Sequence, residues 1–242
     1  MHIDTGRWKG EELGEIISRA SQIDNPGRRI AFISEQFLGN AYQESTLIGD
    51  EHLPEVLVIN LSGFDCFTLL DYVEALRRSD SFARFTAALK EVRYRDGVVS
   101  FTTRNHFFTD WIDRNAAFVG DVTEQIGSGK ARHVQKILNL KEDGSLFIKG
   151  IKPVTRGITY IPADALDETV MRNLRTGDYA GIYSAMQGLD TSHVGIIIRK
   201  GDAIFLRHAS SAAELRRVLD QDFRSYMAGK PGLIVLRPLK KE

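Results

Sequence analysis

The sequence predicts an α+β fold in which one helix carries a nucleophile and an antiparallel sheet presents its base. Three observations lead there. Apolar residues recur at helical spacing through most of the chain up to about Lys90, whereas strands take over after the Asp-Gly turn signal in Tyr94 to Val99. The only cysteine, Cys66, directly follows the apolar run Val56 to Leu61 and stands where a helix begins. Two histidines, His193 and His208, lie on adjoining strand-like runs that read as a hairpin.

The elements follow in order. Glu11 to Ala20 and Arg28 to Leu38 read as helices, the first through Leu13, Ile16, Ile17 and Ala20. Val56 to Leu61 is a strand, and Asp65 to Arg78 a helix with Cys66, Leu69, Leu70, Val73 and Leu76 on one stripe and Arg77 and Arg78 at its end. A further helix is expected from Ser81 to about Lys90, capped by Ser79 or Asp80, and Asp96-Gly97 is a hairpin signal. Phe107 to Phe118 is aromatic with helical period. His133 to Leu140 and Leu146 to Ile151, joined through Glu142-Asp143-Gly144, read as a second hairpin. Asp164 to Leu174 is a short helix, Tyr179 to Ser184 a strand, and Leu233 to Leu236 closes the sheet before Pro238.

The whole chain bounds the function. With 242 residues and 43% hydrophobic residues it can bury one large core, and it is read as a single domain over 1–242. Within it, 1–36 form a helical extension and about 92–162 an insertion that walls a cleft. Lysine plus arginine number 32, as do aspartate plus glutamate, so no overall field draws the protein to nucleic acid or anionic lipid. One cysteine excludes an intrachain disulfide framework and a multi-cysteine zinc site. No stretch approaches the ~20 apolar residues of a membrane span, and Met1 to Trp8 lacks the pattern of a signal peptide. The expectation is therefore a soluble protein, its oligomeric state open.

A thiol at a helix start is faced by peptide N–H groups without intrahelical partners, which favour the thiolate. It needs a base, and a base works best when a third polar group fixes its ring and tautomer. If the hairpin turns through Lys200-Gly201 with Arg199 opposite Asp202, His193 faces His208 directly. A three-residue loop would destroy that register. Cys66, His193 and His208 then supply nucleophile, base and orienting group. The competing readings are a buried core cysteine with two satisfied strand histidines, or a zinc site built from one thiolate and two imidazoles.

The motifs resemble a known family. Phe64-Asp65-Cys66-Phe67-Thr68 before an amphipathic helix, with Ser192-His193-Val194-Gly195-Ile196 and His208-Ala209-Ser210 downstream, resembles the NlpC/P60 branch of papain-like cysteine peptidases and amidases. More narrowly, the chain resembles the DUF1460 family, described as N-acetylmuramoyl-L-alanine amidase-like. Phe37 to Tyr42 is similar to that family's Leu-Gly-x-Pro-Tyr segment, with Ala41 in place of the proline. Arg104 to Trp111 resembles its arginine-histidine-aromatic-Asp-Trp insertion, and Gly188 to Gly195 the lead-in to its histidine. Phe67 stands where many NlpC/P60 enzymes have serine.

The resemblance implies a papain-like fold and hydrolysis of the amide between N-acetylmuramic acid and L-alanine in peptidoglycan or muropeptides, without a cofactor or metal. It implies Tyr42 as a second oxyanion donor beside the Cys66 N–H. Arg104, His106 and Trp111 would offer a cation, a hydrogen-bonding group and an aromatic plate to substrate, or else be surface charge and a core tryptophan. Ser192 belongs to the histidine motif. Asp65 either receives a substrate N–H or caps the helix, the cap being favoured. It also implies a periplasmic or secreted protein if a signal peptide was removed. Two alternatives use the same residues: an endopeptidase cutting within the stem peptide, and a peptidoglycan-binding protein without turnover.

Overall fold

The residues after Asn60 end one strand, make a second and enter the helix that begins at Cys66 within a few steps. The computed structural model describes residues 1–240. In chain order, β1 (His2–Asp4) precedes α1 (Gly10–Ser21) and α2 (Pro26–Glu35). Then come β2 (Ala41–Tyr42), β3 (Val58–Asn60), β4 (Gly63–Phe64), α3 (Cys66–Arg77) and α4 (Phe82–Arg93). The middle holds α5 (Phe108–Arg114), β5 (Val119–Asp121), α6 (Thr123–Gly127), β6 (Arg132–Leu138), β7 (Val154–Pro162) and α7 (Glu168–Asn173). The last part is β8 (Tyr179–Tyr183), β9 (Thr191–Lys200), β10 (Ala203–Ala209), β11 (Val218–Asp222), α8 (Phe223–Met227) and β12 (Gly232–Pro238).

One eight-stranded sheet runs β11-β10-β9-β8-β12-β7-β6, with β5 also on β12, and its pairs are antiparallel. Alternation on β9 explains why both faces are covered. Val194, Ile196 and Ile198 enter a core shared with α1 to α5, while Ile197 enters a second core with Phe223, Met227, Val170 and Ile126 from α8, α7 and α6. The apolar run of β9 is continuous because it is buried on both sides.

α3 is buried over nearly its whole circumference, from Thr68 to Arg77. Two carboxylates one turn apart fasten it. Asp71 meets Arg93 of α4 at 2.7 Å and the Trp111 indole N–H of α5 at 3.1 Å, and Arg93 also donates to the Val58 carbonyl at 2.7 Å. Glu74 holds Arg77 and accepts from the Tyr179 hydroxyl of β8 at 2.7 Å. Buried charges are tolerated only in such paired, hydrogen-bonded sets.

Four expectations are corrected. The hairpin β9–β10 turns through Gly201-Asp202, pairing Ala203 with Lys200 rather than Arg199 with Asp202. His193 and His208 are therefore diagonal instead of directly opposed, but a displacement of two residues preserves the face on which both side chains lie. The second hairpin pairs β6 with β7, not with Leu146 to Ile151. Buried Asn139 pins that segment as a loop, donating to the carbonyls of Ile148 at 2.9 Å and Ile151 at 2.7 Å and accepting from Ile148 N–H. Asp96-Gly97 does turn with positive φ, but the chain then winds into a short 3-10 turn at Phe101–Thr103 and only a single bridge, Tyr94 to Arg104, forms. The cap of α4 is Ser81, whose side chain accepts from Arg84 N–H, rather than Ser79 or Asp80.

Candidate active site

Asp65 is the cap of α3, and its carboxylate accepts from Thr68 N–H at 2.7 Å and from the Thr68 hydroxyl at 2.8 Å. Both bonds fix the first turn and so aim Cys66 out of it. The sulfur of Cys66 is faced by the backbone N–H groups of Val194, Phe67 and Cys66 itself. It therefore meets β9 at the residue following His193.

On β9, His193 Nε2 is 2.7 Å from His208 Nδ1, and on the far side His208 Nε2 is 2.6 Å from Gln221 Oε1 of β11. The two imidazoles are nearly perpendicular, at 87°. Gly195 leaves this crossing open: a Cβ there would meet Leu206 Cδ1 at 2.7 Å and the Arg207 carbonyl at 3.0 Å. Tyr226 of α8 covers both rings, its centroid 6.1 Å from that of His193 and 5.1 Å from that of His208.

The chain of bonds fixes tautomers. An amide oxygen only accepts, so His208 Nε2 carries the proton and His208 Nδ1 accepts; His193 Nε2 then donates. That leaves His193 Nδ1 with a free lone pair. Burial holds His193 down to about 3, with the charges of His208 and Lys230 acting in the same direction. Burial also lowers His208, against Gln221 and Asp220. The thiol is pushed up to about 12, first by burial and then by Asp65, against the three N–H groups. Burial thus acts on the thiol against the helix-start N–H groups on which the expectation of a thiolate rested.

Tyr42 reaches this site through β2, which runs parallel to β4 with Tyr42 beside Phe64. Its phenol is raised by burial first, then by Cys66, Asp65 and Glu44, against Arg216, so it keeps its proton and can donate. Ser192 is exposed, its hydroxyl 3.4 Å from the Ile182 carbonyl.

The remaining candidates are engaged elsewhere. Trp111 is 0% exposed, packed on Phe108 and Tyr179 and bonded to Asp71, so it presents no plate to a substrate. Arg104 is held by Glu55 and the Gly49 carbonyl. His106 Nε2 lies 2.7 Å from the Phe101 carbonyl. The histidine lead-in and the aromatic insertion are nevertheless joined: Asp190, buried, accepts from Thr109 N–H at 2.7 Å and the Thr109 hydroxyl at 2.9 Å. Among the described residues no group of three or more His, Cys, Asp or Glu side chains is arranged to hold a metal ion.

Two site residues escape the sequence reading. Gln221 and Tyr226 sit on a five-residue strand and a five-residue helix, too short to show a period. The one available signal is the alternation from Val218, which puts Leu219 and Gln221 on one face.

Residues 32–233 match the family model described as AmiA-like, N-acetylmuramoyl-L-alanine amidase-like. Among solved structures, a DUF1460 protein of Legionella pneumophila is similar over 95% of each chain, with a TM-score of 0.76 and 21% identity. A structure described as an N-acetylmuramoyl-L-alanine amidase from Bacteroides uniformis aligns over 89% of this chain and 99% of its own, with a TM-score of 0.70 and 24% identity. At these identities the likeness is one of fold. No curated protein matches.

Proposed function

Because the chain belongs to the AmiA-like, N-acetylmuramoyl-L-alanine amidase-like family, we propose that it is a cysteine hydrolase of the papain-like NlpC/P60 kind, cleaving the amide between N-acetylmuramic acid and L-alanine in peptidoglycan or its fragments. The observation that carries the reading is the bonded series His193, His208, Gln221 beside a helix-start thiol. A satisfied core cysteine needs no such series.

In this mechanism the Cys66 sulfur attacks the amide carbonyl while its proton passes to His193 Nδ1. The oxyanion is met by the Cys66 N–H at the start of α3 and by the Tyr42 hydroxyl. Collapse breaks the C–N bond, and the proton on His193 leaves with the amine of L-alanine. Water, deprotonated by the same nitrogen, then hydrolyses the thioester and frees the lactyl carboxylate. His208 holds the ring and stabilises the transient imidazolium, itself oriented by Gln221. In this reading 1–36 are a helical extension, 92–162 wall the cleft, and the protein works in the periplasm or outside the cell.

The test is product mass. Wild-type protein with defined muropeptides is expected to release a stem peptide beginning with L-alanine and a sugar bearing a free lactyl acid, and Cys66→Ser to release neither. Products cut inside the stem would make the protein an endopeptidase. Turnover surviving in Cys66→Ser, or abolished by a chelator and restored by zinc, would remove the thiol mechanism.

A further inference from the structure

A cavity of ≈ 610 Å³ opens where the ends of β6 and β7 approach α8 and the 228–231 turn. Its floor is apolar, made of Leu166, Met171, Phe223 and Met227, and its wall is Tyr160, stacked at 3.8 Å on Tyr183. Its charges are unequal. Arg224 is paired with Glu168, which leaves Arg132 and Lys230 against a single carboxylate, Asp164. Neither Arg132 nor Lys230 has a carboxylate partner among the described residues.

Lys230 joins this cavity to the candidate catalytic pair. Its Nζ is 5.3 Å from the ring centroid of Tyr226, the residue that covers both histidines. Its charge is felt at His193. Lys230 lines the cavity and Tyr226 lies between it and the two imidazoles.

We propose that this cavity is the subsite for the carboxylate-bearing peptide arm of the substrate, with Lys230 and Arg132 receiving its carboxylates and the apolar floor its side chains. A neutral sugar has no use for two cations that outnumber the one carboxylate above a floor of leucine, methionine and phenylalanine, whereas an acidic peptide uses that excess. The identity of the arm rests on the amidase reading; the recognition of carboxylate does not.

The experiment is calorimetric binding to Cys66→Ala protein of a stem dipeptide, L-alanyl-γ-D-glutamate, and of the same peptide with its carboxylates amidated. The acid is expected to bind about tenfold or more tightly, as a charge-assisted contact implies, with the preference shrinking as salt is raised. Lys230→Gln and Arg132→Gln should each reduce it. Equal binding of acid and amide, or a preference undiminished in both variants, would overturn the subsite. If the preference follows Lys230 and Arg132 while product masses show no cut at the muramoyl amide, the subsite stands and the amidase reading falls. Correct products with no acid preference give the reverse.

Discussion

Gln221 Oε1 accepts from His208 Nε2 at 2.6 Å, and through that single bond it determines which nitrogen of His193 is free. Reversing the amide would reverse both imidazoles and put a proton on His193 Nδ1, where a base needs a lone pair. Gln221→Leu is therefore expected to lower kcat by roughly 10- to 100-fold with little change in KM, less than the ~10⁴-fold produced by a wrong tautomer in a serine triad. Nitrogen-15 spectra of the histidines read the cause: wild type should show both rings protonated at Nε2, and the variant a mixture. Spectra with His193 protonated at Nδ1 in the wild type would refute the assignment.

The thiol is raised to about 12 and His193 lowered to about 3, so sulfur and ring are both uncharged at neutral pH. Alkylation by iodoacetamide should then be slow at pH 7, slower than for free cysteine, and should climb through pH 9 without levelling. A rate plateau below pH 7 would mean a resting thiolate–imidazolium pair and contradict this account.

Stability carries the same signature with a definite sign. The unfolded chain takes up a proton at His193 near the ordinary imidazole value of ~6.5, whereas the folded site resists down to about 3. The unfolded state binds more protons across that window, so stability rises with pH from about 3 to 6.5 and is lost as pH falls through it. The melting temperature of wild type should drop between pH 7 and 5 more steeply than that of His193→Gln; equal drops would exclude His193 as the source.

Tyr42 stands beside Phe64 on the adjacent short strand, with its hydroxyl kept protonated. On the proposed mechanism Tyr42→Phe removes one of two oxyanion donors, so kcat should fall ~10²-fold, with an unchanged melting temperature. A loss below about threefold would assign the second donor to another group.

The legible parts of the molecule are those where one local rule acts alone. Asp65 and Thr68 form a cap because of their spacing, and the stripe through Leu69, Val73 and Leu76 is helical in period. The pairing of His193 with His208 was readable despite the wrong turn, because side-chain facing depends on even or odd displacement and not on the exact partner. What stayed hidden was contributed by distant short segments. Gln221 reaches His208 only because β11 is an edge strand beside β10, and Asn139 chooses between two possible partners for β6 through bonds to Ile148 and Ile151. Trp111 shows the same limit: its indole N–H is claimed by Asp71, a residue forty positions away that no window around the tryptophan contains.

That last bond separates two roles for Trp111. In the core, Trp111→Phe leaves Asp71 with Arg93 but without the indole donor, and it shortens an aromatic packed on Tyr179. A buried acceptor that loses one partner costs about 1–3 kcal/mol, and the missing ring volume adds to it. The expected result is a clear fall in melting temperature, with KM for muropeptides unchanged wherever the variant remains folded. A plate for sugar or peptide would behave oppositely, raising KM while leaving stability nearly intact. Arg93→Met offers the control, because it removes the cation paired with the buried Asp71 carboxylate and leaves only the Trp111 indole on it, and it should destabilise by about 3–5 kcal/mol, again without touching KM in the folded fraction.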